Sequence, residues 1–129
     1  MTIHQDVTIN AKPAQVYAVL TNAEAFAAMS GGKPASIAAE AGGAVSLFGG
    51  HILARNIELT PGKRVVQAWR AKDWTEGVYS IVRFELTASG EGTKIAFDQA
   101  GHPADAQAHL EEGWHKNYWL PMQAALSKS

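Results

Sequence analysis

Histidine and carboxylate side chains are the first candidates for chemistry in this chain. The five histidines are His4, His51, His102, His109 and His115. A metal site needs three or four ligands that converge. Glu112 and His115 have the i, i+3 spacing of one ligand pair in a di-iron carboxylate site, but the sequence contains no second copy of that pair. Charge pairs at this spacing are common on solvated helix faces, so we predict a solvated pair, no metal and no cofactor.

Three carboxylates could act as general bases in a pocket, as a cyclase-type enzyme requires: Glu40, Glu58 and Asp98. None of them has a convincing partner in the sequence, so surface or turn roles are favoured. The chain has no cysteine. It also lacks the G-x-S-x-G motif of serine hydrolases and the phosphate-binding loop G-x-x-x-x-G-K. We therefore predict no catalytic residue, and a cyclase- or hydrolase-like enzyme is only the third functional hypothesis.

Aromatic side chains are the stronger candidates for a binding site. The predicted ligand-binding residues are Trp69, Trp74, Phe84, Phe97, Trp114, Asn117 and Tyr118. Large aromatic side chains can line an apolar cavity, but they can equally fill a core. Trp74 precedes Gly77 in a predicted loop, where it would act as a lid or as an exposed contact for a protein partner.

Alternation of apolar and polar residues, interrupted by glycine, predicts most of the elements that position these side chains. The predicted strands cover 3–9, 35–40, 44–48, 51–59, 63–70, 80–88 and 93–99, and two short helices cover 13–20 and 22–29. Thr21 and Glu24 have the spacing of a capping box for the second helix. Gly49-Gly50 predicts a two-residue hairpin turn, and Pro61-Gly62 predicts a turn with positive φ at its second central residue.

Two features of the strands stay open at this level. In 63–70, either Val65, Gln67 and Trp69 or Val66 and Ala68 face inward, because both sets are partly apolar and a one-residue slip reverses the face. The second feature is the set of strand arginines, Arg55, Arg64, Arg70 and Arg83. Solvated positions on the outer face are favoured for them, whereas an inward arginine could bind a ligand carboxylate.

One long amphipathic helix is predicted from Asp105 onward. Its apolar stripe is Ala106, Leu110, Trp114, Asn117, Pro121 and Ala125. Asn117 is the polar member of this stripe and would need a partner, so it is a candidate polar anchor for a ligand. Pro121 should kink the helix and free the Asn117 carbonyl, and Trp119 falls on the opposite side.

Composition excludes several functional classes. The 129 residues fit one domain, 1–129, with 47% apolar and 18% charged residues. The net charge of −1 includes no basic cluster, so nucleic acid is not an expected partner. The N-terminus lacks the apolar run of a signal peptide, and no stretch has the length of a membrane span. We therefore expect a cytoplasmic protein of undetermined oligomeric state.

The order of several segments resembles a known family. These segments are SLFGGHI at 46–52, NIELTPGKRVVQAWRAKDW at 56–74, GVYSIVRFEL at 77–86, and Gly113-Trp114. They are similar to the Aha1-type domain, named after the activator of the heat-shock protein 90 ATPase, in the START-like, birch-pollen-allergen-like SRPBCC superfamily. The resemblance extends from about Ile9 to Pro121. It implies an α+β helix-grip fold, in which a curved antiparallel sheet of six to seven strands wraps a long C-terminal helix, with two short helices after the first strand.

Three functions are consistent with these patterns. The first hypothesis is non-enzymatic binding of a small hydrophobic molecule between sheet and helix. The second is a protein-interaction module, directed at a chaperone or another protein, that uses Trp74 and the sheet surface. The third hypothesis is the cyclase- or hydrolase-like enzyme. It stays open because members of the superfamily share the scaffold and differ in function.

Overall fold

The first three elements form where the local sequence directs them. The structure is a computed structural model that describes residues 2–126. It begins with β1 (Thr2–Ile9), α1 (Pro13–Thr21) and α2 (Ala23–Met29). Pro13 starts α1 because its fixed φ suits a first helical turn and its missing N–H is not needed there. The apolar faces of both helices are buried, so they pack as a pair against the rest of the molecule.

The predicted capping box at Thr21 is wrong. Asn22 caps α2 instead, because its side-chain oxygen accepts a hydrogen bond of 2.9 Å from the Ala25 N–H. The Thr21 hydroxyl donates to the Tyr17 carbonyl within α1. Thr21 is therefore the last residue of the first helix and does not begin the second.

Six further strands complete one antiparallel sheet. They are β2 (Ser36–Ile37), β3 (Ala44–Leu47), β4 (Ile52–Thr60), β5 (Arg64–Ala71), β6 (Ser80–Ser89) and β7 (Gly92–Ala100). The strand order is β1-β7-β6-β5-β4-β3-β2, so consecutive strands from β2 to β7 are neighbours and β1 closes the far edge beside β7. The register of β4 on β5 shifts between Asn56 and Glu58, which marks a β-bulge. Such a bulge bends the strand and contributes to the curvature of the sheet.

Glycine turns connect these strands, but one of them differs from its prediction. Leu47 pairs with Ile52, so four residues join β3 to β4 rather than the predicted two. Gly49 and Gly50 both have positive φ and form a 3₁₀ turn with Phe48. Gly62 has φ +72°, as the Pro61-Gly62 turn requires, because that conformation is strained for residues with a Cβ.

The sheet presents one buried inner face. Val65, Gln67 and Trp69 are almost fully buried, whereas Val66 and Ala68 are half-buried on the outer face. Of the two alternatives for 63–70, the first set therefore faces inward. The same alternation holds in the neighbouring strands, where Phe84 and Phe97 point inward. The inner face therefore carries the core that the C-terminal helix covers.

The C-terminal helix covers that face in three stretches. A 3₁₀ turn (Ala104–Ala106) leads into α3 (Gln107–Trp114), a π-helical turn (His115–Trp119) follows, and α4 (Leu120–Leu126) ends the described chain. In the π turn the Leu120 N–H bonds to the His115 carbonyl, five residues back. Pro121 follows directly and has no N–H to donate, so the helix is widened where the proline interrupts its hydrogen bonding. We call the whole stretch 104–126 the closing helix.

The π turn changes which side chains of the closing helix face the sheet. Tyr118 and Trp119 are both buried, whereas Asn117 is exposed. The predictions that Asn117 belongs to the buried stripe and that Trp119 lies on the opposite side are therefore wrong. A π turn holds more residues than an α turn, so it shifts the phase of the residues that come after Trp114.

The fold class predicted from the sequence is confirmed: the molecule is an α+β helix-grip protein with a curved seven-stranded antiparallel sheet. Across residues 2–126, no helix is both long enough and apolar enough to cross a membrane.

Candidate functional site

A cavity of about 620 Å³ lies between the inner face of the sheet and the first half of the closing helix. Trp69 from β5 lines it together with Trp114 and Tyr118 from the closing helix. Phe48 and Ile52, which flank the β3–β4 turn, add further apolar surface. Small-molecule sites usually have volumes of roughly 300–1,000 Å³, so the cavity has the size of a small organic ligand.

The charged side chains around this cavity lie on its solvent side. They are Lys33, His51, Asp73, Asp105 and His109, and all five are exposed. Because both signs of charge are present, the entrance does not create a strong field of one sign. The apolar interior and the mixed entrance therefore give no preference for a highly charged ligand.

Trp114 is the centre of the aromatic cluster beneath the cavity. Its ring centroid lies 4.2 Å from that of Phe97, 4.3 Å from that of Tyr118 and 5.1 Å from that of Trp69. The rings are tilted relative to one another, as aromatic pairs prefer, and Trp114 is only 2% exposed. The cluster gives the closing helix a rigid contact with two strands of the sheet, β5 and β7.

A buried hydrogen-bond chain fixes Trp114 in this cluster. Its indole N–H donates to Gln99 Oε1 at 2.8 Å, and Gln99 Nε2 donates to Ser80 Oγ at 3.0 Å. The Ser80 hydroxyl donates in turn to the Trp69 carbonyl at 2.8 Å. Gln99 and Ser80 are both fully buried, so this chain satisfies polar groups that would otherwise be costly to bury.

Two other buried polar atoms at the cavity have no hydrogen-bond partner among the described residues. They are Trp69 Nε1 and the Tyr118 hydroxyl. Burial raises the pKa of the Tyr118 phenol far above its usual value, and the neighbouring Trp69 N–H offsets part of that rise. The two groups are thus close, but their contact does not have the geometry of a hydrogen bond. Unpaired buried polar atoms are rare and call for a physical explanation.

The segment 72–79 covers one side of the cavity, and Arg70 holds it in place. The buried Arg70 guanidinium donates to four carbonyls in or beside this loop, those of Lys72, Trp74, Thr75 and Val78. The shortest of these bonds is 2.7 Å, to Trp74. Arg70 therefore lies on the outer side of the sheet, as favoured for the strand arginines, but it is buried under the loop rather than solvated.

Five of the seven predicted ligand-binding residues line the cavity. They are Trp69, Trp74, Trp114, Asn117 and Tyr118. Trp74 is half-buried at the cavity and its ring lies edge-on to Trp69, with 5.8 Å between centroids. Phe84 and Phe97 do not line the cavity; they lie deeper and pack under Trp114. A ligand-binding role for any of these residues stays a prediction.

The acid–base candidates lie elsewhere. Glu58 forms an ion pair with Arg64, and Glu40 is exposed. Asp98 bonds to His4 and Arg83 on the outer face; partial burial raises the pKa of its carboxyl, but these two partners outweigh that effect and lower it. None of the three carboxylates lines the cavity.

Glu112 and His115 lie on the solvent side of the molecule. Both residues are exposed on the closing helix. Within residues 2–126 no group of three or more histidine, aspartate or glutamate side chains is arranged to hold a metal ion.

The sequence analysis missed Gln99 and Phe48. Gln99 is a fully buried polar residue that alternates with Ile95 and Phe97 on the inward face of β7, and this alternation was the available signal. Phe48 has φ +53°, a left-handed conformation that no local pattern indicated. Its ring packs against Phe26 and Tyr118, so tertiary contacts hold it in this strained position.

Comparison with known proteins agrees with this architecture. Residues 10–127 match the family model described as activator of Hsp90 ATPase homolog 1-like protein. The chain therefore belongs to this family of helix-grip proteins.

Two curated relatives carry the name activator of 90 kDa heat shock protein ATPase homolog. The homolog from Dictyostelium discoideum is 40% identical over 79 residues, which cover 60% of this chain and 21% of the relative. Human homolog 1 is 27% identical over 112 residues, which cover 87% of this chain and 33% of the relative. This chain thus matches only about a third or less of each relative.

Two solved structures share the fold over almost the whole length of both chains. An HSP90 activator from Plasmodium falciparum superposes with a TM-score of 0.92 at 25% identity, covering 98% of this chain and 96% of that one. The Aha1 dimer from Colwellia psychrerythraea superposes with a TM-score of 0.80 at 20% identity, with the same coverage of both chains.

Proposed function

We propose that this chain is a protein-interaction domain that binds a chaperone of the Hsp90 type. The observation that carries the proposal is the similarity to the Plasmodium HSP90 activator, which superposes more closely than the Colwellia protein does. Shared fold alone does not define function, but close agreement over the full length makes a shared binding surface more plausible than fold membership does.

An exposed apolar surface on the outer face of the sheet is the candidate contact. We define the outer patch as Leu53, Ile57, Tyr79 and Ile81, which are between 39% and 50% exposed. They belong to β4, to the start of β6 and to the residue before β6, next to the loop that Arg70 holds. Large apolar side chains exposed on one face of a sheet can belong to a protein-binding site.

The proposal is tested with purified protein and an Hsp90-type chaperone from the same organism. We expect saturable binding by titration calorimetry and a change in the chaperone's ATPase rate. Ile81→Thr, a substitution compatible with a strand, should weaken binding by about tenfold if Ile81 is a contact of average hot-spot strength. Leu120→Ser is the matched control, because Leu120 is equally apolar and 67% exposed but lies on the closing helix.

The outcomes separate the partner from the surface. Binding that Leu120→Ser weakens and Ile81→Thr leaves intact would keep the chaperone as partner and move the contact to the closing helix. No binding to the chaperone at high micromolar concentration would overturn the proposal itself.

Binding of a small hydrophobic molecule in the cavity is the second candidate function. The specific observation in its favour is the pair of unpaired buried polar atoms, Trp69 Nε1 and the Tyr118 hydroxyl, on residues that line the cavity. A ligand screen by two-dimensional NMR tests it, with fatty acids, sterols, flavonoids and aromatic acids. Saturable shifts of the Trp69 and Trp114 indole signals support binding at this site, and their absence for every class would contradict it.

A further inference from the structure

We infer that the cavity binds a neutral, planar aromatic molecule with a carbonyl oxygen, which accepts hydrogen bonds from Trp69 Nε1 and the Tyr118 hydroxyl. This inference rests on the second proposed function, ligand binding in the cavity, and names the chemistry of the ligand.

The hydrogen-bonding capacity of the two residues defines the polar end of the ligand. An indole N–H can only donate, and a phenol can donate while its oxygen stays available to accept. Trp69 and Tyr118 are only 3% and 4% exposed, and each lacks a partner among the described residues. A carbonyl oxygen has two lone pairs, so one such atom can accept from both donors at once.

The charge of the surroundings favours a neutral ligand. The charged side chains that line the cavity are exposed, and among the described residues none of them hydrogen-bonds to Trp69 or Tyr118. The Tyr118 phenol itself stays protonated because burial raises its pKa. A carboxylate brought to the buried Tyr118 hydroxyl would lose its hydration, which is unfavourable in an apolar interior.

The aromatic side chains around Trp69 Nε1 and the Tyr118 hydroxyl favour a ligand whose apolar part is an aromatic ring system. Trp69, Trp74, Trp114 and Phe48 all line the cavity. Planar rings pack against such side chains in offset or edge-on arrangements, and they do so with little loss of internal freedom. A flat aromatic ketone fits both this lining and the volume of about 620 Å³.

Access to the two polar atoms requires a side chain to move, because neither atom is exposed to solvent. Trp74 is the side chain positioned to do this. It is half-buried, it contacts the Trp69 ring, and it belongs to a loop that is attached mainly through Arg70. We expect the Trp74 indole signal to shift on binding together with that of Trp69.

A set of three probes with one ring system tests the inference. The probes are 9-fluorenone, which has a carbonyl, fluorene, which lacks it, and fluorene-9-carboxylate, which is anionic at neutral pH. Affinities are measured by NMR titration of the four tryptophan indole N–H signals. A buried hydrogen bond between neutral groups is worth about tenfold in affinity, so fluorenone should bind about ten- to a hundredfold more tightly than fluorene and should also exceed the carboxylate.

Conservative variants assign this preference to the two donors. Tyr118→Phe and Trp69→Phe each remove one donor and keep an aromatic ring, so each should reduce the preference for fluorenone over fluorene by about tenfold while fluorene affinity changes little. Tyr17→Phe is the matched control, because Tyr17 is a half-buried tyrosine of α1 that does not line the cavity. It should leave the preference unchanged.

The results distinguish the inference from the function on which it rests. Equal affinity for fluorenone and fluorene, insensitive to both donor variants, would overturn the carbonyl inference and leave hydrophobic ligand binding intact. Tighter binding of the carboxylate would overturn the neutral ligand. Absence of binding by all three probes would overturn both the inferred ligand chemistry and the proposed binding of a hydrophobic molecule in the cavity. If one donor variant does not fold, the other supplies the same comparison.

Discussion

The buried polar groups between sheet and closing helix form two adjoining sets with opposite results. We call Trp114, Trp119 and their acceptors the sealed end, and Trp69 Nε1 with the Tyr118 hydroxyl the cavity end, although the Trp114 ring also lines the cavity. At the sealed end, the Trp114 N–H bonds to Gln99, and the Trp119 N–H bonds to Gln5 Oε1 at 2.6 Å. At the cavity end, the Trp69 N–H and the Tyr118 hydroxyl have no partner among residues 2–126. All four side chains are at most 4% exposed, so burial does not explain the difference.

This difference affects the stability of the folded protein at one set of residues and its capacity to bind a ligand at the other. A buried polar group with a partner contributes a modest stabilisation, whereas one without a partner costs free energy. The sealed end therefore has the character of a fixed core. The cavity end retains unfavourable groups, and such groups are common at sites that meet a ligand.

The largest effect is expected from breaking the sealed end at Gln99. Gln99→Leu keeps similar volume but leaves the Trp114 N–H without an acceptor and removes a bond to Ser80. We expect a loss of about 3 kcal/mol in the free energy of unfolding, measured by urea denaturation. Gln5→Leu is the matched control, because it removes an equivalent acceptor at a half-buried position, and it should cost about 1 kcal/mol. Equal losses would show that the buried chain through Gln99 has no special role.

A smaller effect is expected from loosening the loop that covers the cavity. Arg70→Lys replaces a planar group with several donors by a single ammonium that cannot reach four carbonyls together. We expect a loss of about 2 kcal/mol and faster hydrogen exchange in residues 72–79. Arg55→Lys, at an exposed arginine that bonds to the Gly42 carbonyl, should change neither. Unchanged exchange in Arg70→Lys would contradict the role of Arg70 in holding the loop.

At the cavity end, removal of a polar group should increase the free energy of unfolding rather than decrease it. Tyr118→Phe removes a buried hydroxyl without a partner, so we expect the variant to be more stable by about 1 kcal/mol. Thermal and urea unfolding of the apo protein measure this change. A clear loss of stability would mean that the hydroxyl bonds to Trp69 in solution, and the contrast between the two ends would then disappear.

The smallest effect is expected outside both ends, at His4 on the outer face. Hydrogen bonds to Asp98 and Asp6 raise the pKa of His4 above its usual 6.5. The folded state therefore binds this proton more tightly than the unfolded state, and the pair stabilises the fold below about pH 6.5. This stabilisation is lost as pH rises through the folded-state pKa.

The stability difference between wild type and His4→Gln measures this contribution. It should be larger at pH 5.5 than at pH 8, and this pH dependence should become smaller in an Asp98→Asn background, where only Asp6 remains as the partner of His4. A difference that grows as the pH rises would contradict the assignment.

Local sequence patterns predicted most of the strands and turns, because the conformation of each of these elements depends mainly on residues that are close together in the sequence. The alternation in 80–88 and 93–99 corresponds to β6 and β7, and Pro61-Gly62 forms the predicted turn. The phase of the closing helix could not be predicted in this way. An ideal helical period placed Asn117 inside and Trp119 outside, whereas the π turn before Pro121 exchanges them.

The candidate site was likewise predictable only as far as local sequence patterns reach. Trp69, Trp114 and Tyr118 were recognisable as candidates, because large aromatic residues in strands and on an apolar helix face are expected inside. Their hydrogen-bond partners were not recognisable. Gln99 bonds to Trp114 across 15 positions of sequence, and Gln5 bonds to Trp119 across 114. Such partners depend on which strands become neighbours.

The elements, their order and the family could be derived from periodicity, turn residues and ordered motifs over nearly the whole chain. The hydrogen-bond partners of the buried aromatic groups could not, because they depend on the packing of sheet and helix. Hydrogen bonding depends on the positions of atoms that are distant in sequence, and the pairing of β1 with β7 brings Gln5 and Gln99 to the closing helix at one end. No such partner reaches Trp69 Nε1 and the Tyr118 hydroxyl in the described part of the chain, and both of these residues line the cavity.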